Sequence, residues 1–372
     1  MVADGESLSA MTGSCGVQQL KMRTHYTQID IMKGLAILGV IVIHSSVSSH
    51  LLPNGGYLWL AQAVPVFMVL LGLNLALSLQ GRPPSFSAAY ASPYWKSRWR
   101  RVFVPFVVVF GLSALIALAS SVLGGLPANV GGFTLVGVLP TGGPGNYFLT
   151  VLFQFVIVGP LLWVAFRRTP QLTLVSALVV DVAFEVWADS SILVAEHPYI
   201  GEAWIARYAL AIVIGLWLAE GWALEARRNR LLLIAGLVSG AYLALSALAF
   251  SLVPRGLDFT PTVYFVSYLY TGLLVMVGMA ILPSVEVGPT SRFLAKAGRL
   301  SYHIFLVQIL WFATLVIPTQ RFISASLEGM LSAVALDALL CAINVAVCLA
   351  GGALFYVALR PRSTGRPGLN AT

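Results

Sequence analysis

Long apolar runs separated by short polar connections define the elements of this chain; neither strand-like alternation nor a heptad repeat is sustained. Runs long enough to cross a ~30 Å hydrocarbon layer as helices fall at 30–50, 57–80, 102–124, 146–166, 171–189, 203–222, 230–253, 262–283, 300–319 and 331–358. They predict an all-α polytopic membrane protein of about ten transmembrane helices. The first 26 residues are polar and lack the short apolar core of a cleaved leader. Residues 1–26 are therefore expected to form a tail ahead of an uncleaved signal anchor, 27–359 the transmembrane domain, and 360–372 a second tail. The connections at 82–100, 125–145 and 284–299 are too short for a further domain.

Composition excludes an ordinary soluble domain: 58% of residues are hydrophobic, 10% are charged, and the mean hydropathy is +0.87. Eighteen of the 22 Lys and Arg lie in the two tails and the even-numbered connections, leaving only Lys33, Arg207, Arg255 and Arg321 elsewhere. By the positive-inside rule both termini are expected on the cytoplasmic side. The Gly- and Pro-rich segment 125–145 then faces the opposite side, where it can re-enter the bundle if protein packs around it. The net charge of +8 is accounted for by this topology, and no motif for nucleic acid accompanies it. Cys15, Cys341 and Cys348 have no metal-ligand spacing. No metal is expected, and the last two cysteines share a helix face, which reads as packing.

Candidate chemistry begins in the first apolar run, which contains His44. An ionisable group inside a membrane segment is a functional-site hypothesis by default. Lys33 lies eleven residues earlier, a spacing that at ~100° per residue returns within ~20° of the same helix face and ~16 Å along the axis. Asp30 extends the polar stripe and is placed to pair locally with Lys33. An imidazole in this position suits a general base for a hydroxyl nucleophile. A second cluster, Lys96 to Arg101, precedes the third run. Arg98 and Arg101 project together on a helical continuation and suit phosphate recognition, although a positive-inside flank has the same composition. Asp181 with Glu185, Arg207, Glu220, and Asp337 with Asn344 read as ion pairs or interhelical contacts.

Several of these residues fall into an ordered set of motifs. Asp30-Ile31-Met32-Lys33-Gly34 resembles the opening Leu-Asp-x-Leu-Arg-Gly of the acyltransferase-3 family of integral-membrane acyltransferases, and Lys33 with His44 resembles its basic-x10-His motif. Pro65 to Gly72 resembles its second-helix motif, Arg98 to Arg101 its Arg-x-x-Arg pair, Asn146-Tyr147-Phe148-Leu149 its Trp-Phe-Leu helix start, and Gly298 to Leu306 its Gly-x-x-Ser-Tyr-x-x-Tyr-Leu. The resemblance covers residues 24–358. Lys33 stands where Arg is commoner, Gln154 where relatives often have Glu, His303 where Gly is usual, and Gln308 where a His often follows.

The resemblance implies an O-acyltransferase of a bacterial inner membrane. It would move a short acyl group from cytoplasmic acyl-CoA, acetyl-CoA foremost, to a hydroxyl of a carbohydrate, glycolipid or secondary metabolite. His44 would be the catalytic residue, with Asp30, Lys33, Arg98 and Arg101 in support. Arg207, Tyr302, Gln308, Asn146 and Tyr147 are candidate substrate or oxyanion contacts. A transporter or lipid-linked sugar flippase is the alternative, with a non-enzymatic carrier or scaffold a third; the sequence leaves the oligomeric state open.

Overall fold

Where lipid replaces water, the backbone must close its own hydrogen bonds, and apolar runs do so as helices. The computed structural model describes residues 25–52, 55–122, 137–221, 226–252, 264–327 and 330–360; residues 1–24 and 361–372 of the two tails, Cys15 among them, as well as Arg255 and the 125–136 part of the Gly/Pro-rich segment, lie outside the described residues. No strand occurs among the described residues. The main helices are α1 (Thr27–Ile43), α2 (Ala63–Leu79), α3 (Val104–Val122), α4 (Tyr147–Arg168), α5 (Pro170–Ser190), α6 (Ala209–Gly221), α7 (Ala226–Leu252), α8 (Tyr264–Ile281), α9 (Gly288–Arg299), α10 (Ser301–Thr314), α11 (Val316–Ser326) and α12 (Ala333–Leu359).

Among the described residues four helical stretches are long and apolar enough to cross a membrane: Phe86–Val122, which contains α3, then α4, α5 and α12. Counting α10 and α11 as one broken span gives five. These two meet at 63°, because Pro318 has no N–H for the Thr314 carbonyl and its ring crowds the preceding turn. Helix also occupies the other predicted windows, as shorter helices or, in α7, with a shorter apolar stretch, Arg230–Ser246. The first window does not run to residue 50: α1 stops at Ile43, His44 is its C-cap, and a separate turn of helix follows at Ser48–Leu51.

Large apolar side chains are exposed along α3, α5 and α7, among them Leu115, Leu118, Leu172, Val175, Leu237 and Val238. That inversion of the soluble pattern fits a lipid-facing exterior. Inside, two glycine crossings set the packing. A Cβ on Gly34 would stand 2.1 Å from Leu294 O and one on Gly298 1.7 Å from Asp30 O, so α1 and α9 lie backbone against backbone. Gly72 and Gly215 do the same for α2 and α6, at 2.0 Å from Ile212 O and 2.0 Å from Val69 O. Two carboxylates on α5 accept from backbone N–H groups of neighbouring helices: Asp181 from Leu210 N at 2.9 Å and Glu185 from Phe265 N at 3.3 Å. The first lies at the start of α6, where unpaired N–H groups and the dipole favour an acceptor.

Candidate active site

The two ends of α1 carry two different sites. At its first turn Asp30 is buried and faces two cations, Lys33 Nζ at 3.7 Å and Arg299 NH1 at 3.9 Å, together with the His25 imidazole, whose Nε2 lies at 3.0 Å. The expected Asp30–Lys33 pair is present, and α9 adds a partner that sequence spacing could not indicate. Lys33 also lies within electrostatic range of Arg98 and Arg101. These arginines do not sit on one regular α-helix, since a wider π-type turn spans Trp99–Phe103 after the helix Ser92–Arg98. The turn still leaves both within reach of Lys33, and such turns recur at functional sites.

Arg98 is held by a traceable chain of causes. Pro160 inside α4 cannot donate to the Val156 carbonyl. Tyr94 takes that acceptor at 2.7 Å through its hydroxyl, and the Arg98 guanidinium lies over the Tyr94 ring at 5.1 Å. Arg98 Nε has no hydrogen-bond partner among the described residues. Tyr302 belongs nearer this end: its hydroxyl donates to Val102 O at 3.0 Å, ~9 Å along α10 from Gln308.

At the other end of α1, half-buried His44 meets the segment 137–146 and the middle of α10. A Cβ on Gly145 would stand 3.7 Å from His44 Nε2 and 3.3 Å from Phe305. The Phe312 ring lies edge-on to His44 at 6.1 Å. Phe305, Gln308 and Phe312 share one face of α10 by their spacing. The segment beside them is fastened on three sides. Thr141 N donates to Ser113 Oγ at 3.0 Å, tying it to α3. Asn146 closes it on itself, accepting from Leu139 N at 3.0 Å and donating to Leu139 O at 3.4 Å. Gln308 Nε2 donates to Pro144 O at 3.4 Å, tying it to α10. Gly142, Gly143 and Gly145 have φ of 72°, 110° and 81°, a region residues with a Cβ avoid.

Buried Ser45, next to His44, donates to Ile41 O at 2.9 Å and accepts from Asn344 Nδ2 at 3.1 Å. Asn344 Oδ1 in turn accepts from Trp311 Nε1 at 2.9 Å. This chain fixes the end of α1 to α12 and α10. His50 and Asp337 add a pair at 3.0 Å between the same regions.

The structure thus gathers His44, Gln308 and Asn146 at one end of α1 and Asp30, Lys33, Arg98 and Arg101 at the other. Asn146 uses one N–H and one Oδ1 lone pair of its amide on its own segment. Arg207 and Tyr147 belong to a further cluster: Arg207 faces Glu202 and Asp181, and Tyr208 has Tyr147 and Tyr268 as neighbours. Burial pushes the Glu202 carboxyl above its usual range, and the neighbouring Arg207 guanidinium pulls the other way. Gly145, Phe305 and Phe312 were not anticipated from the sequence; the available signals were Gly-Pro-Gly directly before Asn146 and the 305/308/312 spacing. Cavities of about 90 and 330 Å³ lie at the Tyr26 and Arg82 end of the bundle, away from His44. Among the described residues no group of His, Cys, Asp and Glu is arranged to hold a metal ion.

A family model described as an acyltransferase domain, that of the acyltransferase-3 family, matches residues 26–353. No curated protein and no solved structure matches the chain.

Proposed function

The chain belongs to the acyltransferase-3 family and is a membrane acyltransferase, and on that premise we propose that it moves a short acyl group, acetyl foremost, from cytoplasmic acyl-CoA to a hydroxyl of a carbohydrate, glycolipid or secondary metabolite. In this reading it is a ten-span protein of a bacterial inner membrane with both termini cytoplasmic, which the Lys/Arg distribution supports. The observation that carries the mechanism is the two-ended layout of α1, with a cluster of cations at one end and an imidazole facing a packed turn at the other, ~16 Å away along the axis.

Arg98, Arg101 and Lys33 bind the phosphates of CoA, and Asp30 holds Lys33 in place. The thioester arm extends along the bundle toward His44. His44 takes the proton of the acceptor hydroxyl as its oxygen attacks the thioester carbonyl. The C–S bond then breaks and the CoA thiolate receives that proton, leaving an ester and free CoA. Carbonyl charge that develops on the way needs N–H donors; in the 142–146 turn these are the Gly143 and Gly145 N–H groups, since Gly142 and Asn146 already donate to Leu139 O and Gly143 O and Pro144 has no N–H. An acyl group relayed on His44 itself follows the same geometry if donor and acceptor enter from opposite faces.

The test is His44→Ala in purified, detergent-stable protein. Acyl transfer should fall ~10²- to 10⁴-fold, the usual worth of a general base, while acyl-CoA binding persists. Activity within roughly threefold of wild type would remove His44 from the chemical step, since even a weak general base contributes more than that. Wild-type protein that neither transfers nor hydrolyses acyl-CoA would favour a transport function.

A further inference from the structure

Gln308 lies on the α10 face whose Phe312 ring packs edge-on to His44, with Phe305 one turn before it and Phe312 one turn after. Its side chain is wholly buried, at 0% exposure. Only half of its amide is used: Nε2 donates to Pro144 O at 3.4 Å, while Oε1 has no hydrogen-bond partner among the described residues. The orientation of the amide is fixed by that contact, because flipping it would set Oε1 against the Pro144 carbonyl, acceptor against acceptor. A buried acceptor left unpaired is costly. Costs of this kind persist where a ligand completes the site.

The chemistry of the unpaired atom restricts what it can bind. A carbonyl oxygen accepts hydrogen bonds and donates none, so it cannot stabilise an oxyanion, which needs donors. Nor can it hold the attacking hydroxyl through its hydrogen if His44 removes that hydrogen, since a hydroxyl has only one. What remains is a second hydrogen-donating group on a molecule already seated before His44.

Resting on the reading of His44 as the base, we propose that Gln308 Oε1 accepts a hydrogen bond from a second O–H or N–H of the acyl acceptor, adjacent to the reacting hydroxyl. Gln308 is then the residue that selects acceptors with two neighbouring hydrogen-donating groups over monofunctional alcohols. Its Nε2 serves a separate purpose, holding the 142–146 turn against α10. The two functions use different atoms of one amide and can be separated by substitution.

The experiment uses the full chain in lipid nanodiscs with radiolabelled acetyl-CoA and two surrogate acceptors, 1,2-propanediol and 1-propanol, which differ by one hydroxyl. Ester formed from each is measured, alongside the KM for acetyl-CoA. Wild type should prefer the diol by roughly tenfold or more, since a site built to hydrogen-bond a hydroxyl rejects the analogue lacking it. Gln308→Met should bring the preference down to about twofold, the statistical advantage of two hydroxyls when neither is hydrogen-bonded, with the KM for acetyl-CoA unchanged. Gln308→Glu keeps an acceptor oxygen and loses the donor to Pro144, and should retain most of the preference. A wild-type preference near the statistical value overturns the proposal without any variant. So does a Met variant that keeps the preference, or one that raises the KM for acetyl-CoA instead, which would assign Oε1 to an amide N–H of the acyl donor. Failure of the wild type to bind acetyl-CoA at all is read in the donor arm; it overturns the acyl-CoA reading itself and this inference with it.

Discussion

Gly145 and Gly142 offer a matched pair for testing where the chemistry occurs. Both have positive φ, 81° and 72°, in the same turn, so an alanine at either position pays a similar left-handed backbone cost of ~1–2 kcal/mol. They differ in what the new methyl meets. At Gly142 it meets no atom of the described residues within 4 Å, whereas at Gly145 the Cβ stands 3.3 Å from Phe305 and 3.7 Å from His44 Nε2. A reacting hydroxyl must come within ~2.6–3.2 Å of that nitrogen, so the Gly145→Ala methyl intrudes on its approach. A misplacement of ~1 Å in a reacting pair can cost ~10²-fold.

Gly145→Ala should therefore lose roughly 10²-fold in kcat for acyl transfer, and Gly142→Ala should stay near wild type. Both should melt lower by a similar small amount, on the order of 1 °C per kcal/mol in a protein of this size. Turnover from radiolabelled acetyl-CoA and thermal unfolding of the same preparations give the two readouts. Equal loss of activity in both variants would refute the reasoning, because backbone strain alone would then explain it. A fully active Gly145→Ala would move the reacting atoms away from His44 Nε2.

Three further outcomes are expected. Replacing Arg98 and Arg101 together by Gln should raise the KM for acyl-CoA and flatten the salt dependence of its binding, with Lys at both positions rescuing only in part because an ammonium lacks the guanidinium fork; titration calorimetry with a non-hydrolysable acyl-CoA checks this, and unchanged affinity in the Gln variant would place the donor elsewhere. Asn344→Leu strips the hydrogen-bond acceptor from Trp311 and the tie from Ser45, so it should cost ~1–3 kcal/mol of stability and lower kcat more than it changes KM, because the anchor beside His44 is lost; steady-state kinetics showing a pure KM effect would contradict that. Single cysteines at Ser97 and Ser332 should label from opposite sides of the membrane, and labelling of both from one side would rule out the ten-span arrangement.

The sequence alone determined the class of molecule and the ordered motifs. Apolar runs without charge have few solutions in lipid, and helix is the one that satisfies every backbone group locally. Lys33, Asp30 and His44 were legible because helical spacing is a local rule, as was the Asp30–Lys33 pair that the structure contains. The motif glycines were visible without their reason. Gly34 and Gly298 are far apart in the chain, and only the crossing of α1 on α9 shows that each faces a carbonyl of the other helix.

Tertiary structure alone decided the surroundings of His44. No local rule ends α1 at Ile43, brings the Gly145 turn beneath the imidazole, or joins Ser45 to Asn344 and Trp311. It also separated residues that the sequence left together as candidates: Tyr302 donates to Val102 near the arginines, Arg207 faces Glu202 and Asp181, and Asn146 bonds Leu139 in the segment beside His44. Each of these outcomes depends on which hydrogen-bond partner or helix face arrives from a distant part of the chain. Spacing along one helix fixes which of its residues share a face, but the environment that face meets is set by long-range packing.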